Sequence, residues 1–189
     1  DPATGSSRAV PYHPELPASL PEEGLTTLMV DRAGLLWLGG EVRGLATTRP
    51  EGAPFTYVVD LALDRDRIAT NNLRTMHQGV DGLIWLGTEG DALKRYDPKH
   101  DEFESFSTAF ADAMGADGAR GFRVLGIADA DAGQLWISSN RGLFRLDPST
   151  RRAQRLAIRA AAPDAVRADT YLRAMTRARD GSLWIGTFS

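Results

Sequence analysis

Cysteine is absent from the 189 residues, which excludes a disulfide framework, a thiolate metal site and a cysteine nucleophile together. No apolar run approaches the roughly 18 residues needed to cross a bilayer, and Asp1, Pro2, Ala3, Thr4 and Gly5 open the chain without a basic stretch leading into an apolar one. Any signal peptide or membrane anchor is therefore expected outside these residues. Neither sign of charge dominates: 22 Lys+Arg stand against 25 Asp+Glu, a formal charge of −3. Nucleic acid, which selects a strongly basic face, is disfavoured as a partner. Histidine is scarce, and His13, His77 and His100 have no spacing suited to a metal or a triad, so neither a metal nor a cofactor is expected.

What remains is an ordinary globular composition, 42% hydrophobic and 25% charged, carrying a repeat. The four tryptophans, Trp37, Trp85, Trp136 and Trp184, lie 48, 51 and 48 residues apart, and their surroundings align without gaps. The segments are DRAGLLWLGG, GVDGLIWLGT, ADAGQLWISS and ARDGSLWIGT. Three residues before each Trp stands a glycine, Gly34, Gly82, Gly133 or Gly181, twice preceded by aspartate, which predicts a tight hairpin turn with positive φ. Each Trp has apolar neighbours on both sides, as in a strand covered on both faces, so all four are assigned to the core as structural anchors.

An apolar strand precedes each turn, with Leu25, Leu73, Val124 or Leu172 twelve residues before the Trp. Two small residues follow each Trp, where a neighbouring backbone can approach closely. A third strand reads LATTRP (45–50), LKRYDP (93–98) and LFRLDP (143–148); a weaker fourth reads PFTYVV (54–59), EFESFS (102–107) and AQRLAI (153–158). Four short antiparallel strands every 50 or so residues predict an all-β fold, a β-propeller of four-stranded blades. The expected divisions are a lead at 1–24, blades at 25–71, 72–121 and 122–170, and half a blade at 171–189, about three and a half in all. Long interblade loops fall at 60–71, 108–121 and 159–170, with a short helical turn near Ala109–Met114.

The pattern D-x-x-G-x-x-W-[IL]-G-T followed by G-L-x-R-x-D-P resembles the two-component regulator propeller repeat. That family occurs in extracytoplasmic sensor domains of bacterial histidine kinases, hybrid two-component sensors and diguanylate cyclases. The resemblance runs from about Leu16 to the end, is best at Leu73–Pro98 and Leu172–Thr187, and departs at Gly40 and at Ser138–Ser139. It implies a periplasmic ligand-sensing module, non-catalytic in itself, that binds a small molecule or oligosaccharide and reaches the membrane only through segments outside this chain. The competing class is a propeller enzyme of lyase or lactonase type whose catalytic residues lie in other blades.

Three and a half blades read as a piece of a larger propeller, with free strand edges that could pair with further blades or with a second copy. RAVPY (8–12) is a candidate outer strand of a preceding blade. Asp129 and Asp131 sit in a hairpin position and lack the further ligands of a calcium loop, so turn chemistry is the better reading. Asp64 and Asp66 alternate with Arg65 and Arg67 as solvated ion pairs. Recognition is expected in the loops between second and third strands, at Glu41 and Arg43, Glu89 and Asp91, and Asn140 and Arg141. These are polar positions that change from blade to blade around an axial funnel.

Overall fold

The computed structural model describes residues 3–7, 9–13, 15–16, 19–49, 54–58, 72–115, 120–158 and 171–188. The sequence repeats become repeated sheets. The first holds β1 (Leu25–Val30), β2 (Leu36–Gly40), β3 (Leu45–Thr48) and β4 (Thr56–Val58). The second holds β5 (Leu73–Gln78), β6 (Ile84–Thr88), β7 (Leu93–Asp97) and β8 (Glu102–Ser105), followed by the helix α1 (Ser107–Met114). The third holds β9 (Val124–Asp129), β10 (Leu135–Ser139), β11 (Gly142–Asp147) and β12 (Arg152–Leu156). β13 (Tyr171–Arg177) and β14 (Leu183–Phe188) form a two-stranded fourth. Every sheet is an antiparallel meander, and β1, β5, β9 and β13 are successive neighbours across sheets. These four are the inner strands of an open arc of β-propeller blades.

The hairpins joining first and second strands follow the glycine column. Gly34, Gly82, Gly133 and Gly181 have φ of +80°, +87°, +72° and +87°, a conformation that costs glycine nothing. The third of these turns, Asp131–Gly133, is a single 3-10 turn closed by the Ala130 N–H donating to Gln134 O at 2.8 Å. Asp129 and Asp131 thus flank a hairpin.

Small residues after each Trp admit the next blade. A Cβ on Gly87 would lie 2.5 Å from Thr75 Cγ2 and 2.7 Å from Val124 Cγ1, so the inner strand of the third sheet packs directly on the second. Thr27 faces Gly39 and Thr75 faces Gly87, whereas Gly126 faces Ser138. The departure at Ser138 is therefore an exchange of large and small across one pair of strands. Gly40 is explained by the lead segment. Thr88 Oγ and Ser139 Oγ each accept a loop N–H, from Asp91 and Arg141, and donate to a carbonyl across the β6–β7 and β10–β11 loops. In the first sheet the Glu22 carboxylate, 8% exposed, takes this place, accepting the N–H groups of Val42 (3.1 Å) and Arg43 (2.9 Å). A Cβ on Gly40 would lie 1.6 Å from Glu22 Oε1.

The core lies between blades. Trp37 meets the ring of Tyr96 edge-on at 6.0 Å amid Leu45, Leu73, Ile84 and Leu86. Trp85 stacks obliquely on Phe106 at 5.0 Å, and Phe110 of α1 joins Phe122 and Phe144 in a ring cluster between the second and third sheets. The assignment of all four tryptophans to the core is corrected here. Trp37 and Trp85 are buried, but Trp136 is half-buried beneath the Arg145 guanidinium and Trp184 is 69% exposed. No described residue beyond the fourth sheet covers the face that carries Trp184, and Leu28 on the opposite end of the arc is likewise exposed. Ala9–Tyr12, the described part of the candidate outer strand, forms no strand. Loops 60–71 and 159–170, with Asp64, Arg65, Asp66 and Arg67, lie outside the described residues.

Candidate functional site

Each inner strand carries the same irregularity. Leu25 pairs with Gly40 and Thr27 with Gly39, leaving Thr26 as an extra residue; Leu73 and Thr75 bracket Arg74, and Val124 and Gly126 bracket Leu125, in the same way. The fourth sheet has its register shift between Leu172 and Met175, across Arg173 and Ala174. Such β-bulges re-aim a side chain, and here they do so at one position in four consecutive blades. Thr26, Arg74, Leu125, Arg173 and Ala174 line one cleft of about 520 Å³, together with Arg123 and Tyr171.

Glu89, from the loop after β6, organises the cationic side of this cleft. Its side chain is 24% exposed; it accepts Arg74 Nε at 2.9 Å and a second bond from Arg74 Nη2, and forms an ion pair with Arg123 Nη2 at 2.6 Å. A backbone bridge between Glu89 and Arg123 holds the loop against the next blade. Arg123 also donates to the Tyr171 hydroxyl at 3.5 Å, and the Arg173 guanidinium stands 6.0 Å from the centre of the Tyr171 ring. The Tyr171 hydroxyl first, and the Glu89 carboxylate after it, hold the Arg123 pKa above its already high ordinary value despite partial burial. One chain of contacts thus joins the second, third and fourth blades.

Of the residues singled out in the second-to-third-strand loops, the structure brings Glu89 into this network and Glu41 to its edge, 4.0 Å from Arg74. Asn140 supports it from behind, its Oδ1 accepting the Arg123 N–H at 2.9 Å and its Nδ2 donating to Gly121 O at 2.8 Å. Asp91 turns to Lys94 at 3.4 Å, Arg43 projects from the surface, and Arg141 reaches the Arg120 carbonyl at 3.3 Å. Sequence reading missed Arg74, Arg123, Tyr171 and Arg173. Their signal was available: polar residues eleven and thirteen before a Trp, in or next to strands otherwise read as apolar.

A second cleft of about 520 Å³ opens at the other end of the inner strands, among His77, Asp129, Thr176 and Arg177. His77 Nε2 lies 3.1 Å from Asp129 Oδ1 but outside hydrogen-bond geometry, so this strand position does acquire a partner from the next blade. His100 is at the surface, its Nδ1 2.7 Å from Asp97 Oδ2, a contact that raises the imidazole pKa and lowers that of the carboxylate. Among the described residues, no group of three or more His, Asp and Glu could hold a metal, and no helix is long and apolar enough to cross a membrane.

No family model matches the chain, and no curated protein matches it in sequence. Solved structures do match in fold. The extracellular domain of BT4673 from B. thetaiotaomicron, assigned to a one-component system, superposes with a TM-score of 0.70 at 14% identity, over 93% of this chain and 22% of that one. The extracellular domain of BT3049 from the same organism, assigned to a hybrid two-component system, gives 0.67 at 20% identity, over 99% and 22%. Virginiamycin B lyase from Staphylococcus aureus, in a catalytically inactive form with quinupristin, gives 0.51 at 14%, over 88% and 65%. The chain therefore spans about a fifth of the length of the two extracellular domains, and at these identities the likeness is one of fold.

Proposed function

We propose that this chain belongs to the periplasmic propeller of a bacterial transmembrane signalling protein, a two-component sensor kinase or a diguanylate cyclase. It reads a small polar ligand there and catalyses nothing itself. The observation that carries the reading is the cleft to which the inner strands of all four sheets contribute, through a bulge repeated at the same position. A ligand seated there touches several blades at once, so its binding energy bears on how the blades sit against one another, which is what a sensor must report. The fold likeness to extracellular domains of one-component and hybrid two-component systems supports this reading. The test is the parent gene on both sides of residues 1 and 189. Further repeats leading to an apolar span of about 20 residues and a kinase or cyclase domain are expected; a closed propeller without any membrane segment would overturn it.

A propeller enzyme is the second reading, favoured by the cleft that holds His77 and Asp129 and by the fold likeness to a lyase. Turnover of a lactone or lyase substrate that is lost in His77→Ala would establish it. For partners, we propose that the edge of β14, which no other described strand pairs, joins further blades or a second copy. A monomeric mass by light scattering at all concentrations would refute pairing with a second copy.

A further inference from the structure

We infer that a cavity of about 400 Å³ between the second and third sheets, at the end where their hairpins lie, takes a small organic amine that also carries a hydroxyl group. The cavity shares no described residue with the inner-strand cleft, so the two sites stand or fall separately. One column of the repeat changes here. Six residues before Trp37 stands Asp31, whose Oδ2 accepts the indole Nε1–H at 2.9 Å. Six residues before Trp85 stands Gly79 instead. Trp85 is as buried as Trp37, 2% exposed, yet its Nε1–H meets no acceptor among the described residues. Buried polar groups are ordinarily bonded, and a buried Trp N–H ordinarily finds a partner. Trp85 and Gly79 both line the cavity, and a Cβ on Gly79 would lie 3.0 Å from Nε1, so the donor faces the place that a side chain has vacated.

Asp81 Oδ1 stands on the other side of that place, 2.7 Å from the same Cβ position. A group that bridges the two must accept from the indole and donate to the carboxylate, and a hydroxyl does both. The lining adds Asp129 and Asp147. Asp81 Oδ1 accepts the Leu83 N–H at 3.1 Å, Asp147 Oδ1 accepts the hydroxyl and N–H of Ser149 at 2.7 and 2.9 Å, and Asp129 Oδ1 lies 3.1 Å from His77 Nε2. The Ser149 hydroxyl bond above all holds the Asp147 pKa below the ordinary carboxylate value, so this group stays charged. Among the described residues, no Lys or Arg pairs with any of the three carboxylates. Arg95, which also lines the cavity, is bonded to Glu104 and lies over the Trp85 ring. An ammonium, three donors and no acceptor, suits carboxylates that the chain's own cations leave alone. No group of three or more carboxylates and histidines among the described residues could hold a metal, so a body larger than a bare ion has to span them. Leu135 and Pro148 give that body an apolar wall, and the volume is that of a small-molecule site.

The test is titration of the full, isotope-labelled chain with phenylethanolamine, read from the indole N–H resonances. Phenethylamine, which lacks the hydroxyl, and 1-phenylethanol, which lacks the amine, are the matched controls. Saturable binding of phenylethanolamine that moves the Trp85 indole signal downfield is expected, with each control weaker by about tenfold or more. The Trp85 signal is the one missing from Trp85→Phe. Gly79→Ala puts a methyl group between Nε1 and Asp81 Oδ1 at a residue outside the left-handed region, so the fold should hold while affinity falls about tenfold or more. The double variant Asp129→Asn with Asp147→Asn keeps both side-chain shapes and should weaken the amine by about as much. No saturable binding of phenylethanolamine overturns the inference, as does affinity within about twofold of the parent in either variant. If phenethylamine binds as tightly, the hydroxyl is wrong; if 1-phenylethanol does, the amine is wrong, and the inference falls with either. Binding that leaves the Trp85 signal unmoved places the ligand elsewhere and overturns it too.

Discussion

Trp85 and Trp184 occupy the same column of the repeat and have opposite surroundings, which makes truncating each a direct test of blade packing. Trp85 is 2% exposed, pressed on Phe106 at 5.0 Å with the Arg95 guanidinium 5.3 Å from its ring centre. A buried Trp removes roughly 200 Å² from water, which at about 25 cal/mol per Å² is worth about 5 kcal/mol, an upper bound consistent with the roughly 3–5 kcal/mol seen for large core truncations. Trp184 is 69% exposed, so less than a third of that area is at stake and Trp184→Ala should cost about 1–2 kcal/mol at most. The two variants should therefore differ by about 3 kcal/mol. Urea unfolding followed by far-ultraviolet circular dichroism reads this as a large loss of midpoint for Trp85→Ala and a small one for Trp184→Ala, at unchanged slope. Should Trp85→Ala fail to fold, Trp85→Phe gives an intermediate loss on the same scale. Native fluorescence gives a second readout: removing the solvated Trp184 should shift the mean emission to the blue. Equal losses in the two variants, or a larger one at Trp184, would refute the assignment of the second and third sheets as mutually covering blades.

Three further variants test the lead segment. Gly40→Thr should cost about 1–3 kcal/mol by overpacking against Glu22, and Glu22→Ala about as much by leaving two loop N–H groups without their acceptor. The double variant should recover most of the loss, because the introduced hydroxyl can then do for the first blade what Thr88 does for the second; additive losses in the cycle would sink the idea. Tyr96 is buried and donates to Asp101 at 2.8 Å, and burial first, then that bond, push its pKa up to about 12. The folded state thus favours the neutral phenol, a contribution held below about pH 10 and lost as pH rises from there towards 12. Phenolate absorbance should show an ionisation near 12 that is missing in Tyr96→Phe; a titration curve that Tyr96→Phe leaves unchanged in that range would contradict it.

The repeat made the architecture legible because its determinants are local. A glycine three residues before a Trp dictates a turn by its backbone alone, and apolar residues on both sides of that Trp state that both faces are covered. Covering is a property of neighbours, however, and the motif around Trp184 is the same as that around Trp85 although no described sheet lies over it. Gly40 and Ser138 looked like departures for the same reason: each is matched to a residue elsewhere, Glu22 and Gly126, that no count along the repeat connects.

The site was less legible because a bulge breaks the rule by which strands are read. Leu73 and Thr75 are two apart in sequence, which alternation assigns to one face, yet they pair with Thr88 and Gly87, consecutive residues, and so point to opposite faces. The residue between them, Arg74, then belongs to neither face and is free to turn into the cleft. The same holds at Thr26 and Leu125, where the side chains are a hydroxyl and an aliphatic group rather than a cation. The backbone device is therefore common to the blades while the chemistry it displays differs between them. Packing demands the bulge be followed by a small or exchanged pair, as at Gly87 and at Ser138 with Gly126, but places no demand on the bulged side chain itself. That position is where a propeller can change its ligand without changing its core, and Arg74 and Arg173 occupy it here.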